Sequence, residues 1–233
     1  MCKCTEKLHD IYLIRHGKTT GNIEKRYVGS TDEGLCEAGI TEINGRRDIL
    51  LRSFSVADEH HMRSEMKVAY ALDMLPKRVY VSPMLRCRQT AELLFPGVAQ
   101  KVVADLREMD FGQFEYKNYK ELMDDIRYQA FIDSGGQLDF PGAEPQRQFR
   151  NRIQTAFLKC MEEEAAAFEG ERTETSKEPL VFVIHGGTIM AIMEKYARPR
   201  RGYFDWQTGA VRGYRCVLKR QAGSYYLEDV TEI

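Results

Sequence analysis

Two short apolar runs, far apart in the chain, each stop on a histidine followed by glycine. No other feature constrains the fold as strongly. Tyr12-Leu13-Ile14 leads into Arg15-His16-Gly17-Lys18-Thr19, and Leu180-Val181-Phe182-Val183-Ile184 leads into His185-Gly186-Gly187-Thr188. Runs this short, bounded by glycine, read as strands buried on both faces, the pattern of a parallel sheet covered by helices. The stretch Ile189 to Tyr196 has a helical pattern. As parallel neighbours, the two strands bring His16 and His185 to one C-terminal sheet edge, where open α/β sheets bind ligands.

The chain between them fits the same α/β plan. Arg78-Val79-Tyr80-Val81 is a strand ended by Ser82-Pro83, and Met84 to Phe95 is the helix after it, so Arg86 falls in the first turn beside the same edge. Lys101-Val102-Val103-Ala104 reads as a further short strand, with Glu108 in the loop Asp105 to Glu115 beyond it. Helices are expected from about Cys36 to Leu51, with a stripe of Ile40, Ile43, Ile49 and Leu50, and over Ser53 to Pro76, where Met62, Met66, Ala69, Tyr70 and Met74 recur at helical spacing. One or two more lie outside the sheet over Asn118 to Phe131. A long one runs from Glu144 to Phe168, its Phe149, Ile153, Ala156, Phe157 and Cys160 facing the core. Residues 1–9 read as a polar lead-in, Thr19 to Glu24 as a short helix or turn, and Val28 to Asp32 as a loop able to fold over the strand edge. Gly213 to Lys219 and Tyr225 to Val230 form a hairpin around Ala222-Gly223. The 233 residues make one domain, 1–233, with an inserted helical segment around 53–76 and a helical cap around 113–140.

Composition removes several function classes. With 34 basic against 35 acidic residues the chain has no broad nucleic-acid footprint, and no apolar stretch is long enough to cross a bilayer. The six cysteines are scattered, no secretory signal precedes them, and reduced thiols in a cytoplasm fit best. Cys2 and Cys4 have no second pair at zinc-site spacing, and adjacent His60 and His61 point apart on a helix, so no metal site is expected. No cofactor is expected either.

Arg15, His16, Arg86 and His185 stand at or just beyond strand ends, as does the loop bearing Glu108. Gathering two arginines and two histidines is unfavourable without an anion, so the grouping predicts a negatively charged ligand. A phosphoryl group matches guanidinium forks and the helix N-terminus after Gly186. A neutral imidazole is a nucleophile toward phosphorus when its other nitrogen donates to a fixed acceptor. A departing alkoxide needs a proton, and Glu108 is the candidate acid, with Phe111 and Phe114 as neighbours that keep it desolvated. Taken singly, each residue has a plainer reading: a satisfied core histidine, a surface arginine, a solvated loop acid. Lys18 reads as a surface residue.

Arg15-His16-Gly17-Lys18-Thr19 with Asn22 resembles the RHGxTxxN signature of the histidine phosphatase superfamily, also called the phosphoglycerate mutase-like family. Ser82-Pro83-Met84-Leu85-Arg86-Cys87-Arg88-Gln89-Thr90-Ala91 is similar to its SPxxRxxQTA segment, Leu106-Arg107-Glu108 to its acid-bearing loop, and His185-Gly186-Gly187-Thr188 to its second histidine motif. The resemblance implies a three-layer α/β/α sandwich with a mostly parallel sheet and no metal. It also implies that His16 is the nucleophile, Glu108 the proton donor, and His185 a further catalytic residue. Arg15, Asn22, Arg86 and Thr188 would bind the phosphoryl group of a small phosphorylated metabolite. The Gly187-Thr188 pair looks like the phosphatase branch, since mutases usually carry Asn-Ser there. Tyr27 to Asp32 with Leu35 and Gly39, and Phe140 to Glu144 with Phe149 and Arg152, are similar to α-ribazole phosphatases. Ala143 replaces a glycine usual in that turn, and Phe114 and Tyr116 stand where small phosphatases often have Trp and Gly. The alternatives are a phosphoglycerate mutase and a non-catalytic phosphate-binding regulatory module, and pairing of the apolar edge strands across a homodimer is a further expectation.

Overall fold

The computed structural model describes residues 6–54, 75–170 and 178–233. The expected 53–76 helix with its methionine stripe, the His60-His61 pair, and Cys2 and Cys4 fall wholly or almost wholly outside them. The described elements are strands β1 (Glu6–Arg15), β2 (Arg78–Val81), β3 (Ala99–Val102), β4 (Leu180–Ile184), β5 (Gly213–Gln221) and β6 (Ser224–Glu232). The helices are α1 (Thr20–Ile23), α2 (Glu37–Arg52), α3 (Leu85–Leu94), α4 (Tyr119–Leu122), α5 (Ile126–Asp133), α6 (Gln146–Gly170) and α7 (Gly186–Tyr196).

The strands form one sheet in the order β3-β2-β4-β1-β5-β6. The first four run parallel, while β5 and β6 join antiparallel at one end. Side-chain alternation divides β1, β2 and β4 between two apolar layers. Ile11, Leu13, Tyr80, Phe182 and Ile184 pack against Phe149, Ile153 and Phe157 of α6 and Ile189 and Ile192 of α7. Tyr12, Ile14, Val79, Val81, Val181 and Val183 meet Ile43 and Leu50 of α2 and Cys87, Ala91 and Leu94 of α3 on the other face. Burial on both faces is why these strands read as unbroken apolar runs.

Three local expectations need correction. The first strand starts at Glu6 inside the expected lead-in, because antiparallel pairing of Glu6 with Arg220 and Lys7 with Lys219 accepts polar residues where one face is open to water. β3 lies two residues earlier than the Val102-Val103 pair suggests. It is an edge strand with no fully buried residue, so its pairing of Arg78 with Ala99 onward, rather than an apolar run, sets its limits. In α2 only Ile43 and Leu50 of the expected stripe are buried, whereas Ile40 and Ile49 face solvent. Residues 43 and 50, two turns apart, share a face that 49 cannot join.

The segment over the sheet edge has its own small core of Phe114, Leu122, Tyr128 and Phe140. Phe114 is buried there, while Phe111 turns to the cavity described below. Tyr116, where a glycine is usual by resemblance, has a φ of 58°, the left-handed region that glycine enters without steric cost. Its hydroxyl donates to Glu33, and the guanidinium of Arg26 lies 5.2 Å from its ring centre, contacts that hold the unfavourable backbone in place.

Phe182, on the central strand β4, stacks on Tyr80 at 4.7 Å and meets Phe157 at 5.4 Å. Replacing it with alanine is expected to lower stability by about 3–5 kcal/mol, read from the denaturant midpoint. A loss below about 1 kcal/mol would contradict burial of β4 between two helical layers.

Candidate active site

The pairing of β1 with β4 builds the centre of the site. The register sets Arg15 opposite Ile184, and the His16 N–H continues the ladder by donating to the Ile184 carbonyl at 2.9 Å. The two histidines that follow therefore emerge side by side, with ring centres 5.1 Å apart and planes at 68°. β2 delivers Arg86 through the first turn of α3, and β3 delivers Glu108 through a 3-10 turn at Ala104–Leu106. Four adjacent parallel strands thus end on the residues that sequence reading singled out.

His16 is buried, and its Nδ1 lies 2.7 Å from the carbonyl oxygen of Gly17. A carbonyl only accepts, so Nδ1 carries the proton and Nε2 keeps its lone pair. Burial, then the fields of Arg86 and Arg15, hold this imidazole well below its usual range. His185 is depressed in the same way, by burial and then by Arg86, His16 and Arg15, and its Nε2 lies 2.7 Å from Ser82 Oγ. Both rings are therefore neutral at neutral pH.

Arg15 donates through one Nη to the Thr208 carbonyl at 2.7 Å, while its buried Nε has no partner. Arg86 is fully buried and reaches the Thr31 and Gly29 carbonyls at 2.8 and 3.0 Å, and its Nε is likewise unpartnered. The loop Val28 to Asp32 is thus folded over the strand edge, as expected. Two buried N–H donors without acceptors, on two cations, call for an anion.

Glu108 accepts from the backbone N–H of Met109 and of Gly187, both at 3.0 Å. Desolvation raises its carboxyl above the usual range despite these two bonds and the two arginines, which act the other way. A Cβ at Gly187 would stand 2.4 Å from Glu108 Oε1, so a side chain there would push the carboxylate out of its present position.

Arg15, His16, Asn22, Glu108, Gly186 and Gly187 line one cavity of about 360 Å³. Asn22 also closes α1 with Thr19 in reciprocal side-chain to backbone hydrogen bonds. Arg86, His185 and Thr188 are fully buried and do not line this cavity; the Thr188 hydroxyl faces the Leu106 carbonyl at 3.4 Å. Lys18 is exposed and paired with Glu42 at 3.0 Å, in keeping with a surface residue. Among the described residues no group of three His, Cys, Asp or Glu side chains is placed to hold a metal ion.

Several supporting residues carried no signal of their own. Thr90 Oγ1 accepts from the Gly17 N–H at 2.9 Å and donates to the Arg86 carbonyl at 2.7 Å, which ties the β1 turn to α3. Glu115 accepts from the N–H groups of Gly29, Thr31 and Phe111, fixing the loop that Arg86 holds from the other side. Thr90 and Ser82 lie inside the motif segment, but nothing in their spacing shows what they bond. Thr90→Val keeps the shape and leaves the Gly17 N–H buried and unmatched, so it is expected to lower stability by about 1–3 kcal/mol, whereas Thr90→Ser retains it. Equal stability of the two variants in denaturant titrations would refute the role of the hydroxyl.

The family profile described as histidine phosphatase superfamily (branch 1) matches residues 11–57 and 65–222. Among curated proteins, a metal-independent phosphoserine phosphatase of Arabidopsis thaliana is 28% identical over 198 residues, covering 82% of this chain and 69% of its own. Phosphoglycerate mutase-like protein 4 of the same plant is 27% identical over 197 residues, covering 82% and 71%. Among solved structures, the α-ribazole phosphatase of Shigella flexneri aligns with a TM-score of 0.65 at 17% identity, covering 94% of each chain. Mycobacterial hydrolase 1 aligns at 0.70 and 19%, covering 94% and 96%. At these identities the structural likeness shows the fold, a phosphoglycerate mutase-like α/β arrangement.

Proposed function

The chain belongs to the histidine phosphatase superfamily, branch 1, and from that premise we propose that it is a metal-independent phosphomonoesterase working through a phosphohistidine on His16. The observation that carries this reading is a neutral imidazole, its Nδ1–H fixed on the Gly17 carbonyl, lining one cavity with Arg15 and a carboxyl held above its usual range. A site that only bound phosphate would have no use for that acid.

In the first step the Nε2 lone pair of His16 attacks phosphorus, the P–O bond to the alcohol breaks, and the leaving oxygen takes the proton of Glu108. In the second, the Glu108 carboxylate takes a proton from water, the oxygen of that water attacks phosphorus, and the P–N bond breaks to release inorganic phosphate. Arg15 offsets charge at the phosphoryl oxygens, Arg86 adds its field from behind the cavity wall, and neutral His185 packs against the His16 ring. The substrate is a small phosphorylated metabolite, and α-ribazole 5′-phosphate is the first to assay, supported by the resemblance at residues 27–39 and 140–152. The reading puts the enzyme in a cytoplasm, in keeping with free thiols at Cys36, Cys87, Cys160 and Cys216. No helix among the described residues is long and apolar enough to cross a membrane.

Phosphate release is expected to survive excess EDTA. Glu108→Gln should slow hydrolysis of alkyl phosphates by about 10²–10⁴-fold, and 4-nitrophenyl phosphate far less, because its leaving group needs no proton. Since His16 is depressed and Glu108 raised, lowering pH from 7.5 to 6 keeps the nucleophile neutral and protonates more of the acid, so kcat for an alkyl phosphate should rise. Loss of activity in EDTA, equal losses on both substrate types, or a falling kcat over that range would contradict the mechanism.

A further inference from the structure

Six rings, Tyr27, Phe111, Phe131, Phe140, Tyr203 and Phe204, line the same cavity as Arg15 and His16. They brace one another: Phe131 and Phe140 have centres 4.3 Å apart, Tyr27 lies 5.2 Å from Phe111 and 5.1 Å from Phe140, and Tyr203 meets Phe204 at 5.1 Å. The ring sets of the two segments come together at Gly136, where a Cβ would lie 3.2 Å from Phe204 and 3.4 Å from Phe131.

The polar tips of these rings are already occupied. The Tyr27 hydroxyl is 3.1 Å from that of Tyr128, and the Tyr203 hydroxyl donates to the Gly187 carbonyl at 3.3 Å. The charges are occupied as well. Arg26, the second cation on the lining, is bonded to Glu24 at 2.5 Å, to Glu121 at 2.6 Å and to the Tyr116 carbonyl at 2.7 Å. Arg15 is left, and it faces the phosphoryl position. Among the described residues that line this cavity, a carboxylate or second phosphate on the leaving group would find no unpaired cation besides Arg15, and the lining carboxyl, Glu108, is engaged by two backbone N–H groups.

We propose that the enzyme selects monoesters whose leaving alcohol carries an uncharged flat ring, stacked among these six side chains. The proposal rests on the phosphatase reading above and names its substrate class. Serine, the alcohol in the name of the plant relative, would set an ammonium and a carboxylate against aromatic faces. A flat ring offers offset and edge-to-face contacts to walls already held in position.

The test compares kcat/KM for 2-phenylethyl phosphate, n-propyl phosphate, O-phosphoserine and phosphocholine, all esters of primary alcohols. The phenylethyl ester is expected to exceed the propyl ester by about 10–100-fold, with phosphoserine below both. Phe204→Ala and Phe131→Leu should each cut the phenylethyl-to-propyl ratio by about 3–10-fold. Phe204 is 54% exposed, so its truncation leaves the core intact. Equal turnover of all four esters would overturn the ring selectivity and leave the phosphatase reading standing. Preference for phosphocholine would also overturn it, showing that the rings read a cation instead. Competition between 2-phenylethylphosphonate and propylphosphonate separates the two readings when nothing is hydrolysed: tighter binding of the phenylethyl compound keeps the selectivity and removes the catalysis, and equal binding removes both.

Discussion

The register between β1 and β4 is the constraint on which the site depends. Because the His16 N–H completes the ladder on the Ile184 carbonyl, the two histidines leave the sheet together, and their rings meet at 5.1 Å. A slip of β1 by one residue would turn Ile14 toward the wrong helical layer and separate His16 from His185. The apolar packing that stabilises the sheet and the placement of the reactive groups are thus one requirement. Gly213 contributes to it, since a Cβ there would meet the Leu13 carbonyl at 1.7 Å, so β5 can lie close against β1 only with glycine at that position.

Electrostatics then gives the assembled groups their character. Burial and two neighbouring guanidinium groups keep both imidazoles neutral, and desolvation keeps Glu108 inclined to hold its proton. The same burial leaves an Nε on each of Arg15 and Arg86 without an acceptor. Supporting bonds go mostly to backbone: Gly17 O to His16, Thr90 to Gly17 N–H, Arg86 and Glu115 to the 28–31 loop. A site held this way loses little freedom when an anion arrives.

Much of this was legible in the residues because strands buried on both faces write themselves as apolar runs, and the groups at their ends stand out against them. Arg15, His16 and His185 stand out by that contrast and Arg86 follows a strand of the same kind, whereas Glu108 is marked by its loop and by the family motif. What lay hidden obeys no period. β3 is an edge strand, the start of β1 is polar, and Ile49 of α2 faces water although it is apolar. Glu115 and Thr90 act through side-chain hydrogen bonds to backbone, reaching Gly29, Thr31 and Gly17 far along the chain, which no spacing announces. Phe111 and Phe114 were read together as neighbours of Glu108, yet one lines the cavity and the other fills the core of the overlying segment.

The central claim is that phosphorus passes through His16. Rapid quenching of the enzyme during turnover, followed by peptide mapping under alkaline conditions that preserve phosphoramidates, tests it directly. The account predicts an acid-labile phosphoryl group on the peptide bearing His16, formed and lost fast enough to carry the steady-state flux and absent from His16→Ala. Steady turnover with no labelled peptide, or a label on any other residue that keeps pace with the flux, would contradict it.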